Sequence, residues 1–296
     1  MSGRPVLWVD AFAERAFGGN PCAVVFEGDG VDVETRIAFT KEVRLSETSF
    51  VVRSDRADFG ARYYLARGEI PMAGHPTVAT VAALIDRGLV DLSSGRAAFT
   101  LEVGAGVLPI EATVRDGRPP LIAMTQPAPA FGARWDAGEI AALFGLTAAD
   151  VAAPPRTVST GTAFCVTPLV SLDALRRARL DVAALERFRA EREPDFFEPF
   201  LCVTQGFTAE GDTAARLMLT PPEPPEDPFT GSATGCMAAY LWAEGLIDAP
   251  ALVAEQGHDM GRPGRAEVVV LGPRDQPAGV RVAGSAAVLM RGTVAL

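Results

Sequence analysis

Residues 69–91 read EIPMAGHPTVATVAALIDRGLVD, and residues 226–248 read EDPFTGSATGCMAAYLWAEGLID. Laid over one another without a gap, at a constant offset of 157, they share Glu69/Glu226, Pro71/Pro228, Gly74/Gly231, Thr77/Thr234, Ala82/Ala239, Leu84/Leu241, Gly88/Gly245, Leu89/Leu246 and Asp91/Asp248. Nine identities in 23 positions exceed the roughly one or two that average composition supplies. The matched Pro, the two Gly and the final Asp are also not generic helix formers. An internal repeat decides a fold wherever it occurs, so the chain reads as two versions of one unit related by a pseudo-twofold.

In each copy a Pro-x-x-Gly turn leads into a segment apolar nearly all round, VATVAALI or CMAAYLW. Such a segment predicts a helix buried on every side, as one wrapped by strands would be. Gly88 and Gly245 suit left-handed caps at its C-terminus. At its N-terminus the turn presents backbone N–H groups and the positive end of the helix dipole, which together favour an anion. Two such starts facing each other enclose a pocket for a small carboxylate. His75 and Ser232 occupy equivalent positions there, so the pocket is chemically asymmetric.

Around the repeat, alternating or apolar segments predict strands at 6–12, 22–26, 48–52, 59–65, 97–103, 107–114, 201–204, 216–219, 266–271 and 279–289. Helices are expected at 33–43, 136–144 and 172–189. The class is α+β with strands predominating. A length of 296 residues is consistent with about two domains, expected at 1–117 and 118–296, with a C-terminal strand free to return to the first. Composition is that of a globular chain, 48% hydrophobic and 22% charged. Its formal charge of −10, from 27 Lys and Arg against 37 Asp and Glu, excludes a sequence-independent nucleic-acid or anionic-membrane partner.

Cys22, Cys165, Cys202 and Cys236 form no CxxC pair, so reduced thiols are expected and neither a zinc site nor a disulfide framework. The start MSGRPVLWVDAF has no secretory pattern, and no apolar run nears the roughly 20 residues of a membrane helix. A cytoplasmic protein is expected. Gly104-Ala105-Gly106 lies between strands and offers no dinucleotide fingerprint, and neither a Walker pattern nor a Gly-x-Ser-x-Gly elbow is present. With two histidines, of which His258 reads as a loop residue, no metal is expected.

Several residues are suited to chemistry. A helix start lowers the pKa of His75 and favours a neutral imidazole able to donate or accept a proton; a structural capping role is the alternative. Asp227, before Pro228, is either a turn residue or a site carboxylate. Ser232 either binds substrate or caps its helix. Glu47 opens the segment Glu47-Thr48-Ser49-Phe50-Val51 and shares a face with Ser49 and Val51. If it points inward its pKa rises toward the range of a general acid/base; otherwise it is a solvated strand end. The Phe17-Gly18-Gly19-Asn20 turn needs unusual backbone angles and can bring the Asn20 side chain to a pocket.

VDAFAERAFGGNPCAVV, RLSETSFVV, the GHPT turn and DPFTGSATG together resemble the phenazine-biosynthesis PhzF-like isomerases, in order and approximate position from Val9 to about Leu246. That family belongs to the diaminopimelate epimerase-like fold. The resemblance implies two similar domains, each a curved barrel-like sheet around a central helix, with the active site in the cleft between them. It also implies one general acid/base, Glu47, which takes a proton from an activated carbon and returns it elsewhere in a 1,3 or 1,5 shift without cofactor or metal. His75 and Asp227 would relay protons. Ser232 and the N–H groups of Gly74 and Gly231 would hold the substrate carboxylate, with Asn20, Ser46 and Thr230 also contributing to substrate binding.

In the related racemases and epimerases, cysteines at the two helix starts act as opposed bases. Here those starts carry His75 and Ser232, while Cys236 lies a turn further on and Ala73 stands where the family often has Cys. A one-base isomerase is therefore expected, acting on a small-molecule carboxylate. The alternatives are an amino-acid racemase or epimerase and a non-catalytic carboxylate-binding protein. The resemblance further suggests a homodimer.

Overall fold

The computed structural model describes residues 3–296. The first half runs β1 (Arg4–Ala11), β2 (Asn20–Val25), α1 (Val33–Val43), β3 (Thr48–Val52), β4 (Phe59–Leu65), β5 (Gly68–Ile70), α2 (Gly74–Asp86), β6 (Arg96–Val103), β7 (Gly106–Arg115), β8 (Arg118–Gln126) and β9 (Ala130–Arg134). There follow α3 (Ala137–Ala142), β10 (Arg156–Ser159), β11 (Ala163–Pro168), α4 (Leu172–Arg177), α5 (Val182–Arg192), β12 (Glu198–Val203) and β13 (Thr213–Met218). The chain ends with β14 (Glu226–Asp227), α6 (Gly231–Ala243), β15 (Ala251–Gln256), β16 (Gly264–Leu271), β17 (Gly279–Gly284) and β18 (Ala286–Val294).

The two halves build the same succession of ladders. β1–β2 is antiparallel, β2–β3 parallel, β3–β4 and β4–β5 antiparallel, β4–β6 parallel, and β6–β7 and β7–β8 antiparallel. The ladders β10–β11, β11–β12, β12–β13, β13–β14, β13–β15, β15–β16 and β16–β17 repeat those senses in that order. Parallel neighbours require a crossover. α1 supplies one in the first half where α4 and α5 supply it in the second; the repeated helices α2 and α6 supply the other. β8 pairs with β17 antiparallel, the sense a twofold imposes on equivalent strands. β9 pairs with β10, and β18 returns to pair with β1.

Strands β1–β4, β8 and β18 wrap α2, and β10–β12, β16 and β17 wrap α6. Both helices are buried without a break, from Gly74 to Leu84 and from Gly231 to Leu241, as their all-round apolar sequence requires. The repeated threonines satisfy their hydroxyls within the helix: Thr77 Oγ1 donates to the Ala73 carbonyl at 2.6 Å and Thr234 Oγ1 to that of Thr230 at 2.9 Å. The repeated Gly and Leu close the helices identically. Gly88 and Gly245 take φ of +69° and +71°, and Leu89 N–H reaches Leu84 O, as Leu246 N–H reaches Leu241 O, each at 2.9 Å.

Two expected elements are each two. The helix expected at 172–189 breaks after Arg177, because Arg179 and Asp181 give their N–H groups to the Phe144 and Leu143 carbonyls, and the Asp181 side chain then caps α5. The strand expected at 279–289 breaks at Ser285, whose carbonyl accepts from Ala13 N–H; β17 stays with β8 while β18 crosses to β1. Among the described residues no helix is long and apolar enough to cross a membrane.

Candidate active site

The N-termini of α2 and α6 meet head to head. A Cβ on Gly74 would lie 2.7 Å from Gly231 Cα and 2.7 Å from Ser232 N, and one on Gly231 would lie 2.8 Å from the Phe12 ring. Close backbone approach therefore demands glycine at both positions. No side chain caps either helix: the α2 N-cap is Ala73, and the α6 N-cap, Thr230, turns its hydroxyl to Asp227 Oδ2 at 2.6 Å. Two uncapped positive helix ends pointing at each other repel, and an anion between them relieves that repulsion.

Beside this junction lies a cavity of about 270 Å3. Ser46, Glu47, Asp227, Thr230 and Ser232 contribute its polar wall; Leu65, Ile70, Met72, Phe164, Phe197 and Leu219 are among its apolar lining. Ser232 sits inside the first turn of α6 and on the cavity wall, so it is not the N-cap. Asn20 and His75 are buried immediately behind the polar wall, and Gly74 and Gly231 form the helix junction.

Asn20 ties the cluster together. Its Nδ2 group lies 2.9 Å from His75 Nδ1, 2.8 Å from Asp227 Oδ1 and 2.9 Å from the Phe229 carbonyl, so two hydrogens are shared among three acceptors. A His75 Nδ1 that accepts leaves the neutral ring's hydrogen on Nε2, and Nε2 is buried with no partner. Burial holds the His75 pKa down at about 3, so the imidazole is neutral, as its position suggested, though desolvation is the cause. His75 Nδ1 also lies 3.6 Å from Glu47 Oε2.

Glu47 immediately precedes β3, its side chain 19% exposed, and its Oε2 has no hydrogen-bond partner. Burial, with Asp227 and Glu223 nearby, raises its pKa well above the usual carboxylate range. Burial also raises Asp227, to about 6, against the lowering effect of hydrogen bonds from Thr230 and Asn20. A carboxyl group raised toward neutrality, beside a neutral imidazole and a carboxylate, can exchange protons with a bound molecule near neutral pH. Burial pushes the Cys236 thiol up to about 11, and its Sγ faces Thr160 Oγ1 at 3.5 Å.

Three features were missed by the sequence reading. Arg262, from the segment between β15 and β16, clamps the turn that presents Asn20: Nε donates to the Gly19 carbonyl at 2.9 Å and Nη2 to Asp10 Oδ1 at 2.7 Å, while Asp10 Oδ2 accepts from Phe17 N–H at 2.7 Å. Glu223, inside a proline run, lines the cavity. Glu198 is the register counterpart of Glu47. Tyr64 and Met218 face the repeated Glu69 and Glu226; Thr48 faces Tyr64, and counting back from Leu201 opposite Arg216 puts Pro199 opposite Met218. The residues before Thr48 and Pro199 are Glu47 and Glu198. None of the three carried a local signal, since each depends on contacts remote in the chain.

This chain and its fold have known relatives. A family model described as "Phenazine biosynthesis-like protein" matches residues 9–292. An uncharacterized isomerase of Bacillus subtilis, YfhB, is 30% identical over 90% of this chain and 91% of its own length. The trans-2,3-dihydro-3-hydroxyanthranilate isomerase of Pseudomonas aeruginosa is 28% identical, with 96% of each chain covered. The crystal structure of a PhzF-family phenazine biosynthesis protein from Bacillus anthracis superposes with a TM-score of 0.86 over 100% of both chains at 29% identity. The duplicated ladders, the opposed helix starts and this full-length likeness have one meaning: the chain belongs to the PhzF family of isomerases, with a diaminopimelate epimerase-like fold.

Proposed function

We propose that this protein is a cofactor-independent isomerase that moves a proton by a 1,3 or 1,5 shift on a small unsaturated carboxylic acid. The observation that supports this best is the unpartnered Glu47 Oε2 on the cavity wall, 3.6 Å from Nδ1 of the buried His75, whose Nε2 is also unpartnered. In the reaction, the Glu47 carboxylate takes a proton from an allylic carbon while the electron pair moves along the conjugated system. The resulting carboxyl group then returns the proton to the far carbon on the same face. Atoms and charge balance with no other reactant.

His75 Nε2–H is free to donate to the substrate, and Asp227, bonded through Asn20 to the imidazole, supports proton relay. The substrate carboxylate takes the place between the helix starts, at Ser232 and the N–H groups of Gly74 and Gly231, where it offsets the facing dipoles. Inversion at a single carbon needs a base on each face. The counterpart carboxylate Glu198 is instead paired with Arg189 at 2.9 Å, and it is not part of the cavity wall, which favours one base over two.

The substrate named for the Pseudomonas relative, trans-2,3-dihydro-3-hydroxyanthranilate, is the first compound to offer, followed by unsaturated hydroxy and amino acids. In deuterated water, wild-type protein is expected to incorporate label at the carbon that receives the proton. Glu47→Gln should abolish incorporation; label that survives the substitution sinks the role of Glu47.

A further inference from the structure

Glu223 is the one acid that the mechanism above leaves unused although it lines the same cavity as Glu47 and Asp227. Its side chain is 2% exposed, and neither carboxylate oxygen accepts a hydrogen bond. A buried carboxylate without donors is costly, and natural structures seldom leave one so without a reason. Its nearest cation, Arg67 Nε, stands 3.4 Å from Oε1, beyond the 2.7–2.9 Å or so of a charge-assisted hydrogen bond. That guanidinium lies over the Phe197 ring, 4.5 Å from its centroid, and Arg67 is not part of the cavity wall.

The loop carrying Glu223 is built to hold it. The run is Pro221-Pro222-Glu223-Pro224-Pro225, four residues whose ring fixes φ. Glu223 N–H donates to the Thr220 carbonyl at 3.2 Å, and Leu219 N–H closes the loop on the Pro225 carbonyl at 2.9 Å. Little entropy remains to be lost when a ligand meets this carboxylate. The cavity wall carries three acids, Glu47, Asp227 and Glu223, and no Lys or Arg. A donor that enters is therefore favoured if it also brings positive charge.

From this we infer that Glu223 is a cation subsite that selects substrates bearing an ammonium group in addition to the carboxylate held at the helix starts. The ligand class is a small amino acid with an apolar body, neutral overall, matching an acid-lined cavity that has its anion site in the backbone. This rests on the functional reading above for the carboxylate end alone. A ligand cation at Glu223 also offsets the charge that helps to raise Glu47, so a bound cation favours the ionised Glu47 that can accept a proton.

The test measures dissociation constants by calorimetry for four unreactive probes: 2-aminocyclohexanecarboxylate, 2-hydroxycyclohexanecarboxylate, cyclohexanecarboxylate and cyclohexylammonium. Wild type is expected to bind the amino acid at least about tenfold more tightly than the hydroxy acid or the plain carboxylate, the margin of one charge-assisted bond. Glu223→Gln should erase that margin while leaving the plain carboxylate within about twofold. Equal affinity of amino and hydroxy acids for wild type, a substitution that weakens all probes alike, or one without effect overturns the subsite. The wild-type comparison stands even if Glu223→Gln does not fold. Binding of cyclohexylammonium that depends on Glu223, with no binding of cyclohexanecarboxylate, would keep the subsite and remove the carboxylate site at the helix starts.

Discussion

Glu47 and Glu198 occupy the same register position in the two halves, Glu47 just before β3 and Glu198 as the first residue of β12, and they have become opposite things. Glu198 is 1% exposed with the Arg189 guanidinium at 2.9 Å, so its charge is answered within the fold. Glu47 has a neutral imidazole at 3.6 Å and two carboxylates for neighbours. Burial raises both groups; at Glu47 the neighbouring Asp227 and Glu223 add to that rise, whereas at Glu198 the Arg189 guanidinium works against it. The helix starts diverge in the same spirit, with identical backbone around Gly74 and Gly231 but His75 on one and Ser232 on the other. A duplicated frame has kept its geometry and divided its chemistry.

Substituting the two glutamates should break the comparison most sharply. Glu47→Gln is expected to lower label incorporation from deuterated water by about 100- to 10,000-fold with little loss of stability. Glu198→Gln removes the ion pair to Arg189, which keeps its bond to the Phe197 carbonyl, and should cost about 1–3 kcal/mol in chemical denaturation, while folded protein keeps its exchange rate. An exchange rate lost in both variants would make the carboxylates equivalent and end the one-base reading.

The glycine junction comes next. Gly74→Ala drives a methyl group into the Gly231 backbone and should cost about 1–3 kcal/mol, along with carboxylate-dependent thermal stabilisation. Gly88→Ala, at the far end of the same helix, meets open space and bears only the strain of a φ of +69°, about 1–2 kcal/mol, with ligand binding retained. Equal loss of binding in both variants would detach the anion site from the junction.

Asp227 and His75 predict opposing pH effects. Folded Asp227 titrates at about 6 against 3.8 for the free group, so between those values the folded state keeps a proton that the unfolded state releases, and this contribution to stability is lost as pH rises. His75 falls from 6.5 to about 3, so its contribution is lost as pH falls through that window. Asp227→Asn removes the first effect and also lessens the rise at Glu47 that Asp227 supports, a change of the same sign. Its stability relative to wild type should therefore rise from pH 4 to pH 6.5, by roughly 3 kcal/mol from Asp227 itself; a flat difference in denaturation midpoints would contradict the raised value. The smallest effect is expected of Ser232→Ala, a several-fold weaker carboxylate affinity, about 1 kcal/mol, measured by calorimetry.

The parts of this site legible in the sequence are those written locally. The repeat announced two buried helices, their glycine ends and the facing starts, and Glu47, His75, Asp227 and Ser232 lie where that geometry gathers them. What escaped was non-local. β8 to β11 were overlooked because RPPLIAMTQPAPAFGAR is broken by prolines and its neighbours are short, so alternation is interrupted. Glu223 sits in a run that reads as an ordinary loop, and its inward aim is set by bonds to Thr220 and Pro225. Glu198 acquires meaning only through strand register, and Arg262 only through contacts across more than 240 positions of sequence.

The return of β18 to β1, mirrored by β9 against β10, has a historical consequence. A single ancestral unit, ending where the first half ends, would have one strand with no place in its own sheet and one edge left open. It would also carry an uncapped helix start facing nothing. Two copies placed about a twofold axis would trade strands, close both edges and bring both helix starts together. Joined in one chain, the two sides of such a junction are free to differ, as His75 does from Ser232 and Glu47 from the ion-paired Glu198.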